Sequence, residues 1–400
     1  MTPRPSLPSL INGVHTPTER RLYNHFSQVL SQLLVLQTSN QCNPIAAAIL
    51  PLSTADKGLL SLVMTVSAAH LLKLLFLGGH SIENPEYVEV QRLKWKFFGQ
   101  GTRIHGQRIQ ELYADKPVSN KQYTIALAST MLLCQYNTGE GGFDGGWKMH
   151  LGAAHELVKC LKRRSGASNV TFSSAAVLED WFLYHQLISK VTDQNPLCHA
   201  DHFEASSNPS SDLLLIGSQD GLLSIVGRIM DLKTQILLDD DPSVPSYLGL
   251  TFGLEISVDL EAWDYQYPTQ QQRVVGECYR WAAFILLYAT VYQCQLLDDK
   301  IQTALEGGLT YLDDLCDTDH AQICALFPMF IFGVSAVSRR DRDRVREKMD
   351  AYYKWSGLGN IIEAKTFLEL WWEQCDQAED RNWWQWHALA SETALQPILT

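Results

Sequence analysis

No pair of cysteines spaced C-x-x-C occurs in the 400 residues, and H-E-x-x-H, G-x-S-x-G and a Walker loop are equally absent. These gaps remove the commonest signatures of dithiol redox, zinc-peptidase, α/β-hydrolase and nucleotide-hydrolysing chemistry. The nine cysteines are an odd number, and most sit in apolar stretches such as 131–136, MLLCQY. There Cys acts as a small buried hydrophobe, which fits a reducing compartment better than a disulfide framework. Basic residues are also short: 32 Lys and Arg face 44 Asp and Glu, for a formal net charge of -12. An acidic chain repels phosphate backbones, so specific DNA binding by this chain is not expected. The first fifteen residues contain no continuous apolar run of the signal-peptide kind. The longest apolar stretches, 59–77 and 281–291, are broken by polar residues or fall short of about 18 residues. A soluble protein without a membrane partner is the expectation.

What is present is material for a large core. The chain is 46% hydrophobic, with 11 Trp, 15 Tyr and 14 Phe, and a chain of this length buries roughly three quarters of its unfolded surface. Residues 1–17 hold four prolines and little periodicity, so they read as a flexible leader. From there the apolar spacing is helical. Thr18 is a plausible N-cap for a first helix through Leu22, Phe26, Val29, Leu30 and Leu33. A loop is expected at Asn43-Pro44, then a long apolar helix from Ser53 to Leu77 closed by Gly78-Gly79. Further helices fit 86–112, 119–132, 147–161, 175–192, 219–238, 268–298, 300–315, 319–335, 340–354 and 359–375. The stretch 246–256 is ambiguous, and no convincing alternating strand appears. The prediction is an all-α fold of about ten to twelve helices in one large domain, 18–390, followed by a short tail, 391–400.

Several clusters invite a chemical reading. Asp313-Asp314-Leu315-Cys316-Asp317 has the D-D-x-x-D spacing of magnesium–diphosphate enzymes. Acidic helix ends are common in so acidic a chain, however, and no second metal motif accompanies it. Cys198-His199-Ala200-Asp201-His202 packs four possible ligands into five residues, but nothing spaced to complete a tetrahedral site follows. His150 and His155 are five apart, a poor spacing for joint ligation. The glycines between 139 and 146 lie between helices and read as a tight turn rather than a phosphate cradle. Arg339–Lys348 interleaves bases with acids, as an ion-pair face on a helix does. The stretch 91–122 holds seven bases against two acids, interleaved with Trp95, Phe97 and Phe98. Lys and Arg stems lying over a core aromatic set account for it better than an anion site. No metal, no cofactor and no catalytic residue is therefore assigned.

A set of segments, taken in order, resembles one family. They are Glu19–Phe26, Asn43-Pro44, Leu50–Leu52, Gly146–Ala154 (GWKMHLGAA), Leu178–Phe182, Tyr279–Ala282, Phe327–Gly333, Asp341–Arg344, Gly357–Asn360 and Lys365–Glu369. Over about residues 18–376 the chain resembles the fungal-specific transcription factor domain that follows binuclear zinc-cluster DNA-binding modules. The resemblance implies an all-helical regulatory domain. It also implies that small apolar ligands, sterols in some relatives, can bind between its helices. The family's C-x2-C-x6-C zinc cluster and basic linker are not found in this sequence. Three accounts fit: a chain without its DNA-binding module, a regulator acting through another DNA-bound protein, or a scaffold reused as an enzyme or small-molecule binder.

The expected function is a transcription-regulatory module that senses a hydrophobic small molecule or a protein partner and makes no DNA contacts of its own. The alternative is a metal-independent cyclase or similar enzyme on a hydrophobic metabolite. Implied with the first reading are a place in the nucleus or cytoplasm, a role in secondary metabolism, and a protein partner or homodimer. For an apolar ligand, Trp147 and His150 lie at i and i+3 on one helix, and Phe330 and Gly333 have the same spacing on another. A helix-interior glycine costs about 1 kcal/mol relative to Ala unless it admits a close neighbour. These four residues are the expected border of a cavity, with Trp147 a wall, His150 its polar group and Gly333 the space.

Overall fold

The computed structural model describes residues 10–36, 42–114, 118–140, 146–165, 173–192, 215–218, 220–237, 247–377, 381–393, 395 and 399–400. The Cys198–His202 cluster and most of the glycine cluster lie outside them. Within the described residues there are fifteen α-helices and no strand, only one isolated bridge between Gln295 and Asn382. The all-α expectation holds, with a finer division of helices. Contacts gather in two compact units, one formed mainly by residues 1–35, 40–140 and 147–179, the other mainly by 180–400.

The first unit is built on α3 (Lys57–Leu77), which packs with α1 (Pro17–Gln28), α2 (Pro44–Ala55), α4 (Pro85–Tyr113) and α5 (Asn120–Glu140). Helix α1 is capped by Thr16, not Thr18: Pro17 occupies the first turn and Glu19 closes a capping box. The segment expected to be a loop at Asn43-Pro44 is the start of α2. Asn43 accepts from the Ala46 N–H at 2.9 Å, and Pro44 supplies the fixed φ of a first helical residue. Helix α3 begins after Asp56, which accepts from the Leu59 N–H at 2.8 Å, rather than at Ser53. Its polar residues do not keep it from the core. Ser61, Thr65 and Ser67 each donate to a carbonyl four residues back at 2.8 Å, so their hydroxyls are satisfied inside the helix. Both α3 and α10 (Gln270–Val291) are long and apolar enough to cross a membrane, but 83% of each apolar window is buried, as in a core helix. His25 of α1 and His70 of α3 share a hydrogen bond of 2.8 Å, and burial pushes the pKa of His25 down to about 3.

The second unit is organised around α10, against which lie α8 (Leu222–Leu237), α9 (Tyr247–Ala262), α11 (Asp299–Asp314) and α12 (Leu326–Ser335). Helices α13 (Arg339–Ser356), α14 (Gly359–Cys375) and α15 (Trp386–Thr393) complete it. Side chains satisfy the carbonyls at the end of α12, and the Ala336 N–H also donates to Gly333 O at 3.2 Å. Gly333 O accepts from the Trp372 indole at 2.8 Å, Val334 O from Trp371 at 2.9 Å, and Ser335 O from Gln302 at 3.1 Å. The Arg339–Lys348 run also serves packing. Arg344 reaches Asp313 and Glu306 of α11, Arg346 reaches Glu369 of α14, and Lys348 pairs with Asp317 at 3.0 Å. The bases of α13 thus tie it to its neighbours, and two carboxylates of the D-D-x-x-D motif are their partners.

Candidate functional site

In the first unit, α6 (Gly146–Ser165) carries Trp147 and His150. Trp147 is buried, and the thiol of Cys134 on α5 lies 4.0 Å from its carbonyl oxygen. Burial raises the Cys134 pKa to about 12, so this cysteine is inert packing. His150 is half-buried, and that burial lowers its pKa. It lies close enough to His105 of α4 to disfavour a charge on that ring. His105 is the more enclosed. Its Nε2 is 3.2 Å from Thr130 Oγ1, and the Thr130 hydroxyl donates to Ala126 O at 2.9 Å. That direction makes Nε2 the protonated nitrogen of His105 and leaves Nδ1 as an acceptor, without a partner among the described residues. Burial first, then Arg108 and His150, pull the His105 pKa down to about 4. One turn along α4, Arg108 forms an ion pair with Asp56. The cluster is thus a neutral imidazole beside a paired guanidinium. Among the described residues no group of three His, Cys, Asp or Glu could hold a metal ion.

Phe330 and Gly333 belong to the second unit, each fully enclosed by neighbours. Phe330 packs edge-on to Trp386 at 5.3 Å between centroids and against Phe367 at 5.7 Å. A Cβ on Gly333 would stand 2.4 Å from Leu368 Cδ1, so the missing side chain is what lets α14 approach α12. Each i, i+3 pair does share a helix face as expected. Trp147 and His150 sit beside the α4–α5 polar cluster, whereas Phe330 and Gly333 sit in an aromatic core sealed by α14 and α15.

A concave feature that sequence reading did not single out lies between α8 and α9. It is a cleft of about 200 Å³ lined by Arg228, Asp231, Leu232, Gln235, Phe252 and Ile256. Beside it, α9 turns apolar side chains outward: Tyr247 is 81% exposed, Leu250 43%, Leu254 67% and Val258 53%. Those positions follow i, i+3, i+7 and i+11, one narrow stripe of the helix. The opposite side, with Ile256 and Leu260, is buried, and Gly253 lets Val291 of α10 come close. Glu255, Asp259 and Glu261 are exposed around the stripe, with Asp259 held by Arg228 at 2.5 Å. The sequence did carry a signal, since Tyr247, Leu250, Leu254 and Val258 are helically spaced. Apolar residues and glycines on the other face blurred it into an ambiguous stretch.

With this geometry in place, comparison with known proteins adds one match. The family model for the fungal specific transcription factor domain covers residues 21–393. No curated protein and no solved structure matches the chain.

Proposed function

Because the chain belongs to the fungal specific transcription factor domain family, we propose that it is a transcription-regulatory module that acts through a protein partner docked on the α8–α9 face. The observation that carries this reading is the exposed Tyr247–Leu250–Leu254–Val258 stripe beside an apolar cleft. Contiguous exposed apolar surface rimmed by polar residues marks interaction sites in soluble proteins. The cleft, at about 200 Å³, is smaller than the roughly 300–1,000 Å³ usual for small-molecule sites. It matches one large apolar side chain of a partner, an anchor of the kind that dominates interface energy. The rim gives the partner's chemistry. Glu255, Asp259 and Glu261 outnumber Arg228 there, so two copies pairing through α9 would oppose like charges. An amphipathic helix with Lys or Arg beside its apolar seam meets the surface with opposite charge.

The test is a titration of two designed helical peptides, one of Leu and Lys and one of Leu and Glu, each with a central Trp, followed by fluorescence anisotropy. The Leu/Lys peptide is expected to bind the wild-type chain at least about tenfold more tightly than a Leu254→Gln/Val258→Gln variant, since each buried aliphatic side chain contributes about 1.5 kcal/mol or more. Equal affinity for that variant, or equal affinity of the two peptides, contradicts the reading.

A further inference from the structure

On α8, one position on from the cleft-lining Leu232, Lys233 points away from the α9 side into a corner of rings. Its Nζ stands 3.2 Å from the centroid of the Trp384 indole and 3.4 Å from His387 Nδ1. His387 Nε2 lies 3.0 Å from the Val191 carbonyl oxygen. A carbonyl can only accept, so Nε2 carries the proton and Nδ1 presents its lone pair to the lysine amine. No carboxylate lies within ion-pair distance of Lys233 among the described residues. The nearby Asp231 is taken by Lys190 of α7 (Ser173–Thr192) at 3.5 Å. Desolvation accordingly pulls the Lys233 pKa down to about 7. A second observation points to a ligand in the same ring cluster. The indole nitrogens of Trp384 and Trp386 are buried with no acceptor among the described residues, and Trp386 is fully buried. Buried donors ordinarily have partners.

We propose that Lys233 and His387 form a site that captures a small carbonyl compound, an aldehyde or ketone with an apolar body, as an imine on the lysine amine. The amine lone pair attacks the carbonyl carbon as the C=O π pair moves to oxygen. One amine proton passes to His387 Nδ1 and on to that oxygen, giving a carbinolamine. The hydroxyl leaves as water with a proton from His387, the nitrogen lone pair forms the C=N bond, and the remaining N–H proton returns to His387 Nδ1. One amine and one carbonyl give one imine and one water, with no change in oxidation state. The indole face of Trp384 beside Lys233 suits a flat apolar body, and the unpaired indole N–H groups suit a ligand with a further acceptor oxygen. The neutral amine is the form such chemistry requires, and the desolvation that lowers the Lys233 pKa makes more of it available. The site is independent of the α9 stripe, so either can fail without the other.

The experiment uses the full chain with benzaldehyde as probe and cyanoborohydride to reduce any imine, with labelling rates read lysine by lysine by peptide mass spectrometry. At pH 7 Lys233 is expected to label at least about tenfold faster than the exposed Lys57 and Lys121. The Lys233 rate should rise with pH and level off just above pH 7. His387→Gln should slow Lys233 several-fold and leave Lys57 and Lys121 unchanged. A Lys233 rate no greater than theirs on the unaltered chain overturns the proposal without requiring any variant to fold. An unchanged rate in His387→Gln overturns the role of the imidazole.

Discussion

Replacing Gly333 by Ala sets two effects against each other at one position. The helical interior favours Ala over Gly by about 1 kcal/mol, because glycine loses more backbone freedom on folding. Against that, the new Cβ would stand 2.4, 2.9 and 3.2 Å from Leu368 Cδ1, Cδ2 and Cγ. Leu368 has no solvent to swing into, being completely buried. Helix α12 cannot easily shift either, since the Gly333 and Val334 carbonyls are held by Trp372 and Trp371. Inserting a methyl into a closed core costs about 1–3 kcal/mol, and this crowding belongs at the upper end. The net expectation is a loss of about 2 kcal/mol. At roughly 2–4 °C per kcal/mol for a unit of this size, the melting temperature of the second unit falls by about 4–8 °C. Gly106 and Gly152 are internal controls, lying inside α4 and α6 with open space where a Cβ would go. Gly106→Ala and Gly152→Ala should each raise stability by up to about 1 kcal/mol. Calorimetry of the three variants decides the matter. A Gly333→Ala protein as stable as wild type would refute the claim that this glycine exists to let α14 approach.

Three further outcomes follow from named groups. His25, His105 and His185 are buried neutral, with pKa values pushed down to about 3, 4 and 4, below the ordinary value of 6.5. The unfolded chain therefore binds more protons than the folded one between about pH 6.5 and 4. Stability should decline as pH falls through that window, with about three protons taken up on unfolding; pH-independent denaturant midpoints there would contradict it. Trp371→Phe leaves the Val334 carbonyl without its indole donor and should cost about 1–3 kcal/mol in urea unfolding, a loss below 0.5 kcal/mol being the contrary result. In a gel shift at physiological salt this acidic chain should show no sequence-dependent duplex binding, and nanomolar, sequence-specific binding would overturn that expectation.

Much of the architecture could be read from local pattern. The helical class, the Gly78 end of α3 and the helices over 340–354 and 359–375 follow from periodicity and caps within a few residues. The errors were local too. Asn43-Pro44 looked like a break because Asn and Pro punctuate turns, yet the same pair caps and starts a helix, and only the backbone decides between them. The stretch 246–256 hid a helix because α9 is apolar on its buried and exposed sides alike, which erases the contrast a period needs. The site was less legible. That Trp147 and His150 share a face is a property of one helix, but His105, 45 positions earlier, becomes the neighbour of His150 only through packing. The spacing of Phe330 and Gly333 was right, while the residue that uses the glycine's space, Leu368, could not be named from pattern. Lys233 and His387 are 154 residues apart, and neither carries a local motif.

The central claim, that the α9 stripe is the surface through which this domain regulates transcription, is tested most directly by tethering. The chain is fused to a heterologous DNA-binding module over a reporter, and outputs are compared for the intact chain, Leu254→Gln/Val258→Gln, and Phe76→Gln/Trp95→Gln on exposed apolar positions of the first unit. At equal protein levels, the intact fusion should change reporter output, the α9 double variant should return it to the level of the DNA-binding module alone, and the control pair should leave it as in the intact fusion. An output that survives loss of Leu254 and Val258, or that falls equally with the control pair, would contradict the account.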